Sequence, residues 1–370
     1  MNIQNLRVIE MIFFGDVASP SIITSKYLED FFKHNKKIFD DKRIVCNFEG
    51  LLVDRAPDDN NSPILYNHHS VLKTLDRGFS PVLCLANNHI LDLPQNFKYT
   101  TDLLRTKGIY FVGAGKTKEE ANAPIIVPAD GTKVLLYNAC WSLLHYDNPN
   151  PSVGVYVSEI DEENLLKSIK NYKSNNQGII IVVFFHWNFD LETLPFPMYR
   201  QISTELVDAG VSLILGSHSH CFQGAEKYKD GLIVYGLGNF FIPHNQFVSG
   251  KLTYPDFSRL ELALEWDPIT KEAICHWFRY ENTDNEHKLI HLESEKFDDS
   301  QRIKTFSPFK GMDEKQYLRY FRQNRRKKWL VPVYKDYRDK KINSLFNVIL
   351  KLRGLIVRFL AKRNFIRWNR

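Results

Sequence analysis

The sequence contains no run of about 18 apolar residues, so no membrane-crossing helix is expected. Cysteine is sparse: Cys46, Cys84, Cys140, Cys221 and Cys275 are scattered, odd in number and without paired spacing. That excludes a disulfide-stapled secreted scaffold and points to reduced thiols in a cytoplasmic protein. The stretch Met1-Asn2-Ile3-Gln4-Asn5-Leu6-Arg7 has no basic region leading into a long apolar segment, so no cleaved leader is expected. Internal repeats and low-complexity tracts are also missing, which argues against a solenoid or a disordered chain. What remains is ordinary globular composition, 44% hydrophobic and 25% charged over 370 residues. That length is enough for one large domain with extensions.

Charge is unevenly placed. Of the 49 Lys and Arg, 18 lie between Lys315 and Arg370, accompanied there by only 2 Asp. The other 314 residues hold 31 basic and 41 acidic side chains, so a mildly acidic body carries a strongly basic tail. Arg319 to Trp329 mixes charge with aromatics. Leu345 to Leu360 is apolar but broken by Lys351, Arg353 and Arg358. Its periodicity places Phe346, Ile349, Leu350, Ile356, Val357 and Leu360 mainly on one side, as in a helix lying at a membrane interface. The tail is therefore expected to meet an anionic membrane or an anionic polymer. Packing on its own domain is the plainer reading. No RNA- or DNA-binding motif accompanies the charge, so no specific nucleic acid is expected.

Along the body, strand-like and helix-like segments alternate. Five apolar runs end in polar residues of metal-ligating type. Val8 to Phe14 leads to Gly15-Asp16, and Arg43 to Cys46 to Asn47-Phe48-Glu49-Gly50. Ser80 to Ala86 leads to Asn87-Asn88-His89, and Gly178 to Phe185 to His186-Trp187. Val211 to Leu215 leads to Gly216-Ser217-His218-Ser219-His220. Ligands of α/β sheets gather at such strand ends. Oxygen and imidazole donors without thiolate suit Mn, Fe or Zn. Helical spacing is found between the strands, for example over Ser25–Lys36, Gln95–Lys107, Glu159–Tyr172 and Tyr199–Ala209, and later at 313–328 and 342–362. The strand pattern at Arg259–Trp266 and Glu272–Tyr280 reads as an antiparallel pair.

These blocks, continued by Gln223-Gly224-Ala225-Glu226 and Gly238-Asn239-Phe240, resemble the CapA family of bacterial capsule and poly-γ-glutamate biosynthesis proteins. That family is related to the calcineurin-like metallophosphoesterases. The resemblance covers roughly residues 8 to 282 and implies a four-layer α/β/β/α metallophosphoesterase-like sandwich, an α/β fold, with a helical basic C-terminal extension. The division expected is 1–283 as the metallophosphatase-fold domain, 284–312 as an irregular linker and 313–370 as the basic amphipathic extension. Two departures stand out, the first from the family and the second from the wider metallophosphoesterase pattern. The usual His-Trp-Gly is His186-Trp187-Asn188, and Ala18 stands where metallophosphoesterases proper carry a histidine.

The resemblance implies one or two divalent metal ions. Asp16 and His220 would serve the first, and Asn88, His186 and His218 the second. Glu49 would bridge, with Asn47 as the alternative. His89 would act as general acid or steady charge on the leaving oxygen. Asp190 and Glu192 are the remaining catalytic candidates, placed behind the ligands or against substrate. Asn239 reads as a turn residue under the site, and His244 as a loop histidine near the cleft. Two functions fit: a metal-dependent hydrolase of a phosphoester or related bond in exopolymer synthesis, or a non-catalytic accessory protein docked to a membrane-bound synthase. The substrate would be an anionic polymer or a phosphorylated compound.

Overall fold

The computed structural model describes residues 10–57, 64–129, 132–145, 154–176, 178–247, 250–283 and 286–362. Two sheets dominate. The first has the order His287–Lys296, Ala273–Asn282, Leu260–Trp266, Met11–Val17, Arg43–Phe48, Val82–Cys84, Tyr110–Val112, with Asn239–Phe241 also pairing Met11–Val17. Its 43-to-112 half is parallel and its 260-to-296 half antiparallel. The second has the order Ala225–Tyr228, Gly231–Val234, Leu213–Ser217, Ile180–His186, Thr132–Cys140, Ile125–Ala129, and its four inner strands are parallel.

The two-residue period of a strand explains the layering. Met11 and Phe13 point between the sheets, where they join Val45, Val82, Leu136, Val182, Phe184 and Leu213 in one apolar core. Their neighbours Ile12 and Phe14 face the other way, against Leu28, Phe31 and Phe32 of the helix Ile22–His34. That helix begins at a reciprocal Ser21/Thr24 cap. On the far face of the second sheet, Ile181, Val183 and Phe185 meet Ile169, Ile202 and Leu206 of the helices Glu162–Asn175 and Pro197–Asp208. The result is the expected four-layer α/β/β/α sandwich. Both parallel halves aim their carboxyl ends at the same edge.

The C-terminal third differs from expectation. Of the expected irregular linker 284–312, the described residues 286–312 are ordered otherwise: His287–Lys296 is an edge strand of the first sheet, and Gln301–Phe306 is a short helix capped by Ser300. Nor is the extension detached. Tyr317, Phe321, Val331, Tyr334, Tyr337 and Leu350 are buried in the core of the second sheet's helical layer. One face of the last helix, Lys340–Lys362, is nevertheless exposed, carrying Ile342, Leu345, Val348, Leu352, Leu355, Ile356 and Phe359. Among the described residues no helix is long and apolar enough to cross a membrane.

Candidate metal centre

The strand ends deliver their polar residues to one buried point. Asp16 closes the strand Met11–Val17 and is fully buried. Its Oδ1 accepts from Asn47 Nδ2 at 2.8 Å, and its Oδ2 accepts the His218 backbone N–H at 3.3 Å. Burial raises its carboxyl to about 7. Asn47 thus braces Asp16, and its own Oδ1 accepts from Asn87 at 3.4 Å. Glu49, the other candidate, brings its buried carboxylate to the same cluster. Ligand atoms of Asp16, Glu49 and His220 all lie within 4.8 Å of one another.

The histidines are oriented through their second nitrogens, as metal-binding imidazoles require. Ser217 donates its hydroxyl to Phe185 O at 3.2 Å, so its oxygen accepts from His186 Nδ1 at 2.9 Å. The lone pair of His186 is then on Nε2, which lies 2.7 Å from Asn88 Oδ1, 3.1 Å from His218 Nδ1 and 3.7 Å from Glu49 Oε1. His220 Nδ1 donates to Asn239 Oδ1 at 2.8 Å, which leaves its Nε2 lone pair 3.9 Å from Asp190 Oδ1. His218 Nε2 is 3.1 Å from that same oxygen. A neutral His218 has one proton for two facing acceptors, so the cluster holds more lone pairs than protons. A divalent cation resolves that mismatch, and it also offsets two fully buried carboxylates that neutral imidazoles cannot neutralise. The donor set therefore fits a metal, with Asp190 beside His218 and His220 in a second group of potential ligands.

Backbone strain marks the same loop. His218 and His220 have φ of +83° and +53°, conformations that cost of order 1–3 kcal/mol each for residues with a Cβ. Gly216 is needed just before them. A Cβ there would lie 2.0 Å from Tyr235 O and 2.2 Å from Trp187 Nε1. Trp187 is itself fixed by donating to Tyr235 O at 2.8 Å and stacking between Phe185 and Tyr199. The Asn188 departure is accounted for in the same way. Its φ is +71°, a left-handed conformation that glycine or asparagine adopts most readily. Its side chain ties Gln223 Oε1 to the Phe196 N–H, at 2.9 and 2.8 Å. Ala18 is packed among Leu65, Leu191 and Ile242, so no further ligand comes from that position.

His89 is held by an aspartate in its own turn. Asp92 Oδ2 accepts from His89 Nδ1 at 2.6 Å, three residues on in the turn after Asn88. Among the described residues, His89 Nε2 is buried without a hydrogen-bond partner. Asn239, read as a turn residue, orients His220. His244 is a structural group: its Nε2 accepts the Tyr254 N–H at 3.3 Å, and burial pushes its pKa down to about 3. Glu192 is tied to backbone groups. It is 1% exposed, and its carboxylate accepts four backbone N–H groups, from Thr193, Leu194, Arg326 and Lys327. These bonds tie the loop after Asp190 to the C-terminal extension.

Residues 10–244 match the family described as bacterial capsule synthesis protein PGA_cap. The chain belongs to that family. Among PGA_cap relatives, it is 27% identical over 232 residues to the capsule biosynthesis protein CapA of Bacillus anthracis, covering 60% of this chain and 52% of that one. It is 27% identical over 244 residues to the PGA biosynthesis protein CapA of Bacillus subtilis, covering 63% of each. A probable polyglutamine synthesis accessory protein of Mycobacterium tuberculosis is 24% identical over 247 residues, covering 62% of this chain and 63% of that one. The chain thus matches about half to five-eighths of these relatives' lengths. Among solved structures it is similar to a phosphatase of Mycoplasma pneumoniae, with a TM-score of 0.46 and 12% identity, covering 82% of this chain and 99% of that one. A putative 5'-nucleotidase of Staphylococcus aureus gives 0.40 and 14%, covering 85% and 57%.

Proposed function

We propose that this PGA_cap protein is a metal-dependent hydrolase of a phosphoester or related bond, acting in the synthesis of an anionic exopolymer such as poly-γ-glutamate or a capsular polysaccharide. The supporting observation is the convergence of Asp16, Glu49, Asn88, His186, Asp190, His218 and His220 from five strand ends on one buried point. Asp16, Glu49 and His220 would hold one divalent ion. Asn88, His186 and His218 would hold a second, with Asp190 facing both groups. Ions of this kind supply positive charge beside the reacting centre. The chain's own contribution to proton transfer is His89. Asp92 fixes its Nδ1–H, so any proton it gains is held at Nε2, the atom able to return it to a leaving oxygen. The test is elemental analysis of purified protein, with phosphomonoesterase and phosphodiesterase assays over Mn, Fe and Zn. Stoichiometric metal with turnover lost in His218→Ala supports the reading. Stoichiometric metal with no turnover on any phosphoester removes it.

The accessory reading has its own support in the exposed apolar stripe of the helix Lys340–Lys362. We propose that this stripe, flanked by exposed Lys341 and Lys351, rests on an anionic membrane surface at the cytoplasmic face, where each basic residue adds about 1 kcal/mol. The full chain should co-sediment with vesicles containing phosphatidylglycerol and not with neutral vesicles. A Leu345→Glu/Leu352→Glu variant should lose that binding with its melting temperature unchanged. Deleting the extension is not a clean test, because its buried aromatics belong to the core. Equal sedimentation of wild type and variant rejects the docking role.

A further inference from the structure

The basic extension lies beyond residue 244, where the family match ends, yet contacts at Glu192, Phe257 and Phe189 tie it to the surroundings of the metal centre. Glu192, two residues from Asp190, receives the Arg326 N–H on Oε1 at 3.1 Å and the Lys327 N–H on Oε2 at 2.9 Å. Four backbone donors on one buried carboxylate fix both the loop and the extension segment. A second contact is independent of the first. The Arg326 guanidinium lies 3.9 Å from the centroid of the Phe257 ring. Phe257 packs on the cluster of Ala18, Leu191 and Tyr254, and the Tyr254 ring sits 4.8 Å from that of His220. A third comes from the last helix, whose Arg353 guanidinium lies 5.1 Å from the Phe189 ring, one residue before Asp190. Lys327 is half-buried and Arg326 exposed. The Lys327 ammonium is held below its usual pKa chiefly by burial, with Arg353 and Arg326 adding repulsion and Asp190 opposing them.

We infer that the C-terminal extension forms one wall of the metal cleft, and that Arg326 and Lys327, set in place by Glu192, bind an oxyanion of the substrate next to the metal-held group. The inference deepens the hydrolase reading and rests on it. It gives the clustered charge a purpose that a solvated basic face lacks: backbone anchoring turns two flexible cations into a positioned pair beside the ligands. Glu192 is accordingly a positioning residue.

The probe is inorganic phosphate, titrated by calorimetry into the Mn-loaded full chain. Arg326→Ala/Lys327→Ala retains the backbone N–H groups that Glu192 holds, so the fold and the Mn content should stay as in wild type. Phosphate affinity should fall by tenfold or more. A Lys227→Ala control on a distant surface should bind phosphate as wild type does. Glu192→Gln replaces one acceptor oxygen with a donor amide, so trypsin should cut at Arg325–Lys328 several-fold faster while the melting temperature of the sandwich changes little. Phosphate binding equal to wild type in the double variant, with metal retained, overturns the inference, as does unchanged tryptic cleavage in Glu192→Gln. A wild type that binds no metal overturns the hydrolase reading instead. In that case phosphate binding that still depends on Arg326 and Lys327 leaves the cationic wall standing.

Discussion

Substituting Asp16 by Asn separates the energetics of burial from those of metal binding. The Asp16 carboxyl is fully buried, and burial raises it from 3.8 to about 7. Between those two values the metal-free native state holds a proton that the unfolded chain has released, so native stability falls as pH rises through that window. At about 1.4 kcal/mol per pH unit the full loss is about 4 kcal/mol, of which about 3 kcal/mol falls between pH 5 and 8. Asn cannot ionise and escapes this loss. It retains one acceptor oxygen, so it also carries a pH-independent deficit of about 1 kcal/mol from one weakened hydrogen bond. In EDTA, urea unfolding followed by tryptophan fluorescence should show Asp16→Asn near or slightly below wild type at pH 5. By pH 8 the variant should exceed wild type by about 3 kcal/mol. Saturating Mn at pH 8 should reverse the order. An ion at 1,000 times its dissociation constant adds about 4.1 kcal/mol to the protein that binds it, and the variant lacks the buried anion. A difference that stays flat from pH 5 to 8 would refute the burial argument. Equal stabilisation of both proteins by Mn would refute Asp16 as a ligand.

Three further outcomes are expected. Asp92→Asn should lower phosphoester turnover by about 10²-fold or more with metal content unchanged, read by kcat against elemental analysis, because His89 loses the acceptor that fixes its Nδ1–H. Gly216→Ala should cost about 3 kcal/mol or more in urea unfolding and weaken Mn binding, since its Cβ meets Tyr235 O and Trp187 Nε1. Asn188→Gly should destabilise by about 1–2 kcal/mol through two lost hydrogen bonds, while leaving metal stoichiometry intact because its left-handed backbone suits glycine.

The site was legible where chemistry and local pattern coincide. Asp16, Glu49, Asn88, His186, His218 and His220 all follow apolar strands, and that rule alone placed them on one edge. The residues that aim these ligands were harder to see. Asn239 reaches His220 only because Asn239–Phe241 joins Met11–Val17, a pairing that no local signal announces. Asp92 had a spacing signal, three residues after His89, but a turn aspartate has many uses. Glu192 stood in the right neighbourhood with the wrong partner, since Arg326 and Lys327 are more than 130 residues away. The strand His287–Lys296 hid for a different reason. As a sheet edge it has few buried positions and many charges, which is how edges avoid pairing with other molecules and also how loops look. The extension's basic residues drew attention from its aromatics, and Tyr317, Phe321 and Tyr334 decided the packing.

The central strand Met11–Val17 carries a consequence for synthesis. One of its sides pairs with Arg43–Phe48, but the other waits for Leu260–Trp266, with Met11 opposite Trp266. At 5–20 residues per second the ribosome needs on the order of ten to fifty seconds to supply that neighbour. For that interval a strand bearing Phe13 and Phe14 has an open hydrogen-bonding edge, and Asp16 lacks its final frame. Maturation of the metal centre is therefore a late event in the life of the nascent chain. Expression yield should depend on chaperones that shield this edge more than on the supply of metal during translation.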